Sequence, residues 1–293
     1  MKPNYLVIGA PKCGSTTLSS LLAAHPEIYM VPHEVGFFAL DEKYKKGISW
    51  YEELFLPGEN LKCIGENSNY YTMKEIYPLA FERLLNYFDI KNLKLIYIVR
   101  NPLERIESFW IEKRSHGGED VHYDFNIAVK KNRDWLLDVS NYWRQLEPFR
   151  KHFSDEQILV MFLEDLKVDQ YQTMYECYSF LGVDPKIASN LSSERLNPFE
   201  KKKVVKPFKS RLRELQGYRL VVSLLPMTIR RFLSDKLFMQ KVASRPQWNP
   251  ETKAWAIQEL AEDKSEMRFT LVISSQNATG FPQYSRNLCV SSA

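Results

Sequence analysis

Three short, largely aliphatic runs punctuate the chain: Tyr5-Leu6-Val7-Ile8 near its start, Leu93 to Val99, and Gln157 to Phe162. Runs with so little polar alternation suit strands of a parallel sheet covered on both faces. Longer stretches carry helical periodicity instead. Asp134 to Phe153 places Trp135, Leu136, Val139, Trp143 and Leu146 on one broad face and reads as a single long helix. Leu163 to Leu181 reads as a helix stopped by Gly182, and Pro250 to Glu262 as a late helix opened by its proline. Tyr218 to Phe232 fits either an amphipathic lid or a core helix pair broken at Pro226, and Arg268 to Ser274 has strand character. No stretch reaches the roughly 18 consecutive apolar residues of a spanning helix.

The first run leads directly into Gly9-Ala10-Pro11-Lys12-Cys13-Gly14-Ser15-Thr16-Thr17. Gly9 and Gly14 have the separation of a Walker loop, but Ser15 stands where that loop has its lysine, and Lys12 lies two residues before Gly14. The loop can still cradle a phosphate, because the amides of Gly14, Ser15 and Thr16 would open a helix whose positive end favours an anion. Lys12 is displaced to the crest, where it can meet charge on an atom bridging the phosphate to a group in transfer. The bland alternative is a βα turn with a solvated lysine.

A second anion site follows the second run. Arg100 lies at the carboxyl end of the Leu93 to Val99 strand, Asn101 and Pro102 are helix starters, and Ser108 falls on the helix they open. In an open α/β sheet, ligands bind outside the carboxyl ends of the strands. Two strand-loop-helix units ending in Lys12 and Arg100 therefore predict one nucleotide carrying two separate phosphates. The fold expected is α/β: a single P-loop-like domain over residues 1–263 with a central parallel sheet flanked by helices, followed by an atypical polar tail over 264–293. No internal repeat is evident.

This pair of segments resembles the two signatures of sulfotransferases that use 3′-phosphoadenosine 5′-phosphosulfate (PAPS). The resemblance implies that Lys12, Cys13, Gly14, Ser15, Thr16 and Thr17 hold the 5′-phosphosulfate, and that Arg100 and Ser108, eight residues apart, hold the 3′-phosphate. His33-Glu34-Val35-Gly36-Phe37-Phe38 and the Gly47 to Tyr51 segment are similar to the heparan and carbohydrate sulfotransferase group, in which the glutamate before the two phenylalanines is the catalytic base. His33 competes with Glu34, since cytosolic small-molecule sulfotransferases use a histidine base. Neighbours in an extended segment point to opposite sides, so one of the two faces the crevice; the Phe37-Phe38 match favours Glu34. Gly65-Glu66-Asn67-Ser68-Asn69-Tyr70-Tyr71 resembles the group's Gly-Glu-Lys-[Ser/Thr]-Pro-x-Tyr segment, with Asn67 and Asn69 in place of Lys and Pro. Asn67 removes a cation near the acceptor and argues against a polyanionic one. Lys241 to Pro250 resembles the family's late loop over PAPS, with Lys241 and Arg245 as its basic contacts, and Phe162-Leu163-Glu164-Asp165-Leu166 matches a further strand and helix start. The implied reaction is in-line sulfuryl transfer to a hydroxyl of a carbohydrate, glycolipid or small molecule, with 3′,5′-phosphoadenosine (PAP) as product and no metal.

Composition agrees with an ordinary enzyme: 293 residues, 44% hydrophobic, with 40 basic against 36 acidic side chains. The net charge of +4 is too small to argue for nucleic acid. The basic run Lys201, Lys202, Lys203, Lys206, Lys209, Arg211, Arg213 reads as a solvated face, or else as a guide for an anionic acceptor or a peripheral contact with a membrane surface. Cys13, Cys63, Cys177 and Cys289 form no C-x-x-C pair, and His25, His116, His122 and His152 have no metal-ligand spacing. Scattered thiols, and a first strand beginning a few residues after Met1, lead to the expectation of a reducing cytoplasm. Two rival functions share the strand-loop-helix start. A P-loop kinase requires a lysine after Gly14 and a metal-holding carboxylate at a strand end; a non-catalytic nucleotide-binding module requires neither.

Overall fold

Five parallel strands form the central sheet in the computed structural model, which describes residues 1–115, 121–191, 203–205, 239–241 and 244–261, the two three-residue pieces as backbone only. They are β1 (Tyr5–Gly9), β2 (Ile28–Met30), β3 (Cys63–Asn67), β4 (Lys94–Val99) and β5 (Ile158–Phe162), in the order β2-β3-β1-β4-β5. Every residue of β1 and β3 is buried, as is all of β4 beyond Lys94, while β5 at the edge is half-buried along its first three residues. Two of the three aliphatic runs, β1 and β4, thus sit in the middle of the sheet, as two-sided burial requires, and the third forms the edge strand β5. Val7 pairs with Asn67 on one side and Ile96 on the other, which brings the carboxyl ends of β1, β3 and β4 to neighbouring levels. From β1 the chain runs out to the edge strand β2, returns inward to β3 beside β1, then crosses to β4 and β5 on the other side. The switch in direction falls between β1 and β4, where a crevice forms in such sheets.

The helices are α1 (Ser15–Ala23), α2 (Asp41–Tyr44), α3 (Gly47–Glu53), α4 (Ala80–Tyr87), α5 (Pro102–Ser115), α6 (Phe125–Lys131), α7 (Arg133–Leu136), α8 (Tyr142–Arg150), α9 (Leu163–Val168), α10 (Gln170–Leu181) and α11 (Pro250–Glu259). Two of the long helices read from periodicity are interrupted. The span from Asp134 to Phe153 breaks between α7 and α8, where the Ser140 hydroxyl accepts from Arg105 and the Asp138 carbonyl accepts from Gln145 Nε2. Polar groups committed to such contacts compete with helix continuation. The span from Leu163 to Leu181 breaks at Asp169, whose carboxylate caps α10 by accepting from Gln172 N–H. Gly182 ends α10 in the left-handed conformation, as expected. The last helix, α11, runs to Glu259, and Glu262, where the sequence reading ends it, lies outside the described residues.

The chain divides into two units, one of Met1–Arg105, Asp138–Leu196 and Glu259–Ala293, the other of Ile106–Leu137 and Asn197–Gln258. The first holds the sheet. In the second, β6 (Lys203–Val205) and β7 (Met239–Lys241) pair antiparallel, and Trp248 packs its ring edge against Phe125 at 4.7 Å while its Nε1–H donates to Glu107. His116, most of the basic run, Tyr218 to Phe232, Cys289 and the tail 264–293 lie outside the described residues.

Candidate active site

The turn after β1 is shaped by close approach. A Cβ on Gly9, whose φ is +150°, would stand 2.1 Å from Thr72 Oγ1, and that hydroxyl donates to the Ile8 carbonyl. Only glycine lets strand end and Thr72 come together there. Past the turn Lys12 takes a left-handed backbone, φ 69°, at a cost of about 1 kcal/mol for a residue with a Cβ. Gly14 caps α1, whose first internal bond runs from Leu18 N–H to the Gly14 carbonyl. The amides of Gly14, Ser15, Thr16 and Thr17 precede that bond and make up the orphan donors of the helix's positive end. Cys13 differs from its loop neighbours: its amide donates to Ala10 O, its thiol lies beside the Tyr142 hydroxyl at 3.4 Å, and burial pushes the thiol pKa up to about 11. It is a packing residue, inert as a thiol.

Arg100 emerges from β4 next to this loop. Its Nη1 donates to the Lys12 carbonyl at 3.3 Å and its Nη2 pairs with Glu104, one turn along α5. Its Nε is buried and has no hydrogen-bond partner, which leaves a guanidinium edge suited to an anion. Asn101 begins α5 as expected, its Oδ1 accepting from Leu103 and Glu104 N–H. Arg105, which the sequence did not single out, lies wholly buried beneath the loop, donating from Nε to the Pro11 carbonyl and from Nη1 to Ser140. A positive charge is thereby fixed under the phosphate loop. Ser108 is half-buried on α5 and belongs to the second unit. Within that unit Arg245 pairs with Glu107 at 3.4 Å, and Lys241 ends β7.

Glu34 reaches the same locality from the segment after β2. Its Oε1 accepts the Asn69 backbone N–H at 2.7 Å. Burial of the carboxyl raises its pKa, while the Asn69 donors and the Lys12 charge pull the other way. A carboxylate held near a cation, with its proton affinity raised, is a good general base. His33 and Glu34 are both exposed as residues; the Glu34 carboxyl alone is shielded, where it meets Asn69. The Phe37-Phe38 pair proves to be an anchor for the Glu34 segment: both rings are fully buried, with Phe37 stacked on Tyr51 at 4.6 Å and Phe38 against Tyr71 at 5.7 Å. The hydroxyls of Tyr51 and Tyr71 both donate at 2.7 Å to Glu66 on β3, a fully buried carboxylate whose pKa burial raises to about 6. Asn67 and Asn69 are buried too, each with a side-chain oxygen that has no hydrogen-bond partner. Periodicity alone had no means of finding Glu66, Asn69 or Arg105; a glutamate within a hydrophobic strand was the one available signal. His25, by contrast, is a packing residue, edge-on to Tyr178 and bonded to the Asp184 carbonyl.

Comparison with known proteins agrees with this geometry. A family model described as the sulfotransferase domain matches residues 2–219. The human bifunctional heparan sulfate N-deacetylase/N-sulfotransferase 2 is 25% identical over 202 residues, 62% of this chain and 22% of that protein. The human heparan sulfate glucosamine 3-O-sulfotransferase 5 is 28% identical over 195 residues, 64% of this chain and 55% of that one. The chain therefore spans only part of these curated relatives. Among solved structures, a sulfotransferase from Alicyclobacillus acidocaldarius superposes with a TM-score of 0.56 at 22% identity, over 79% of this chain and 99% of that one. A mouse sulfotransferase complexed with PAP superposes with a TM-score of 0.50 at 14% identity, over 95% of this chain and 89% of that one. Both share the fold.

Proposed function

The chain belongs to the sulfotransferase domain family, and on that premise we propose that it transfers a sulfuryl group from PAPS to an acceptor hydroxyl. The observation that carries the reading is the meeting of three groups beyond the carboxyl ends of β1, β4 and β2: the Lys12 loop, the Arg100 guanidinium with its unpartnered Nε, and the Glu34 carboxylate. The loop amides and Lys12 would take the 5′-phosphosulfate. Arg100 would take the 3′-phosphate; Ser108, Lys241 and Arg245, which the resemblance assigns to the donor, lie in the second unit.

In the proposed step the acceptor oxygen attacks sulfur in line as the bond from sulfur to the bridging phosphate oxygen breaks. Glu34 takes the acceptor's proton, and PAP departs with the electron pair, its bridging oxygen met by Lys12 and the α1 amides. Positioning and electrostatics supply most of the catalysis. A metal is not required by this scheme, because lysine and helix amides already face the developing charge. The similarity to heparan sulfate enzymes supports a carbohydrate or glycolipid acceptor; Asn67, a neutral amide at its position, supports an uncharged one.

Lys12→Ala and Glu34→Gln are each expected to lower turnover with PAPS about 100-fold or more, measured as transfer of labelled sulfate to a panel of neutral sugars, glycolipids and phenols. Arg100→Ala is expected to raise KM for PAPS with a smaller effect on kcat. Wild-type turnover in both Lys12→Ala and Glu34→Gln would sink the mechanism. Tight PAP binding with no transfer to any acceptor would point to the non-catalytic module instead.

A further inference from the structure

The segment from Glu66 to Tyr71 touches the Glu34 segment at two places, one part-buried and one buried. Asn69 N–H donates to Glu34 Oε1 at 2.7 Å. Two residues beyond Glu34, Gly36 N–H donates at 2.7 Å to the Ser68 hydroxyl, which itself donates at 2.6 Å to Glu66 Oε2. Glu66 is held in turn by Tyr51 and Tyr71 through its other oxygen. All three hydroxyl donors converge on one carboxylate, so the ionised form is fully served and its geometry is over-determined. A glutamate side chain has three rotatable bonds, and a base must sit within hydrogen-bond reach of the proton it removes. Something must hold Glu34 still.

We infer that Asn69 is a positioning residue for the Glu34 base, clamping its carboxylate through the backbone N–H, and that Ser68, locked by Glu66, fixes the turn from which Glu34 projects. The inference rests on Glu34 being the base. Charged and titratable groups acting on Glu34 come from each surrounding element: Lys12 from the phosphate loop, Glu66 from β3, and Tyr70 and Tyr77 from the stretch beyond. Against that constant background the Asn69 donor favours the ionised base, so its removal moves the base's proton affinity upward.

The experiment uses Asn69→Pro, Asn69→Ala and Ser68→Ala in the full chain. Asn69 is the first residue of a short 3₁₀ turn, Asn69–Thr72, a position whose backbone accepts proline; the substitution deletes the N–H while leaving the turn. Asn69→Ala removes only the side chain and keeps the N–H. Asn69→Pro is expected to lower kcat about tenfold and to move the acid limb of the kcat–pH profile to higher pH, with PAP affinity within about twofold of wild type. Asn69→Ala, which keeps the N–H, is expected to leave the limb in place. Ser68→Ala is expected to lower kcat without altering PAP affinity. A merely structural role would reduce active protein and leave the limb in place. If Glu34→Gln abolishes turnover while Asn69→Pro keeps both wild-type kcat and the wild-type limb, the clamp is overturned and the base stands. If Glu34→Gln turns over normally, the base reading falls and the clamp with it. Should Asn69→Pro fail to fold, a displaced limb in Asn69→Ala, which would assign the effect to the side chain and not the N–H, together with wild-type kcat in Ser68→Ala overturns the proposal equally.

Discussion

Single side chains at this site do different work from what their chemistry alone suggests. Cys13, in the middle of a phosphate loop, is walled off beside Tyr142, whereas Glu66, in the middle of a hydrophobic strand, organises three hydroxyls. Burial raises the Glu66 pKa from 4.5 to about 6, partly offset by those donors. A carboxyl whose folded pKa lies above its unfolded one makes the folded state bind more protons. Its contribution to stability is therefore greatest below about pH 4.5 and declines as pH rises towards 6, by about 2 kcal/mol in all. Glu66→Gln has no such proton, so urea titrations of both proteins from pH 4.5 to 7.5 are expected to show the wild type losing about that much relative to the variant, then running parallel. A pH-independent difference would contradict the assignment. Lys12 and Arg100 were legible from residue type and spacing. Asn69 acquires its role from a partner 35 residues away, and Glu66 from Tyr51, 15 residues away, together with Ser68 and Tyr71.

At the scale of elements, strands were read well and helix continuity poorly. The runs beginning at Tyr5 and Leu93 became β1 and β4, because burial on both faces imposes one requirement on every residue and writes it locally. A helix break leaves a weaker trace. Ser140 and Asp169 look compatible with a helix until Arg105 or the α10 amides engage them. The junction between β1 and its loop is the least forgiving element, since Gly9 abuts both Thr72 and the Tyr97 ring. Gly9→Ala is expected to destabilise the protein by about 2–4 kcal/mol and to remove PAP binding, read from urea midpoints and calorimetric titration. An unchanged midpoint would mean the junction can relax.

For the molecule as a whole, the parallel order β2-β3-β1-β4-β5 determines what can bind. The reversal between β1 and β4 opens the crevice where the Lys12 loop and Arg100 meet, and it is there that the proposed donor's phosphates would bind. PAP at about 100 times its Kd is expected to stabilise the protein by about 2.7 kcal/mol, visible as a rise in Tm, with little shift from ATP and magnesium at equal concentration. An equal shift from ATP would revive the kinase alternative. The amino-acid sequence by itself determined strands β1, β4 and β5, the displaced lysine, the arginine at a strand end and the helix starts at Gly14 and Asn101, since each is a local pattern of burial, charge or capping. Tertiary structure alone decided that the Phe37-Phe38 pair anchors the Glu34 segment, that Arg105 lies under the phosphate loop, and that Asn69 meets Glu34. Those contacts join segments distant in the chain, and which buried polar groups must satisfy one another is set only when the layers pack.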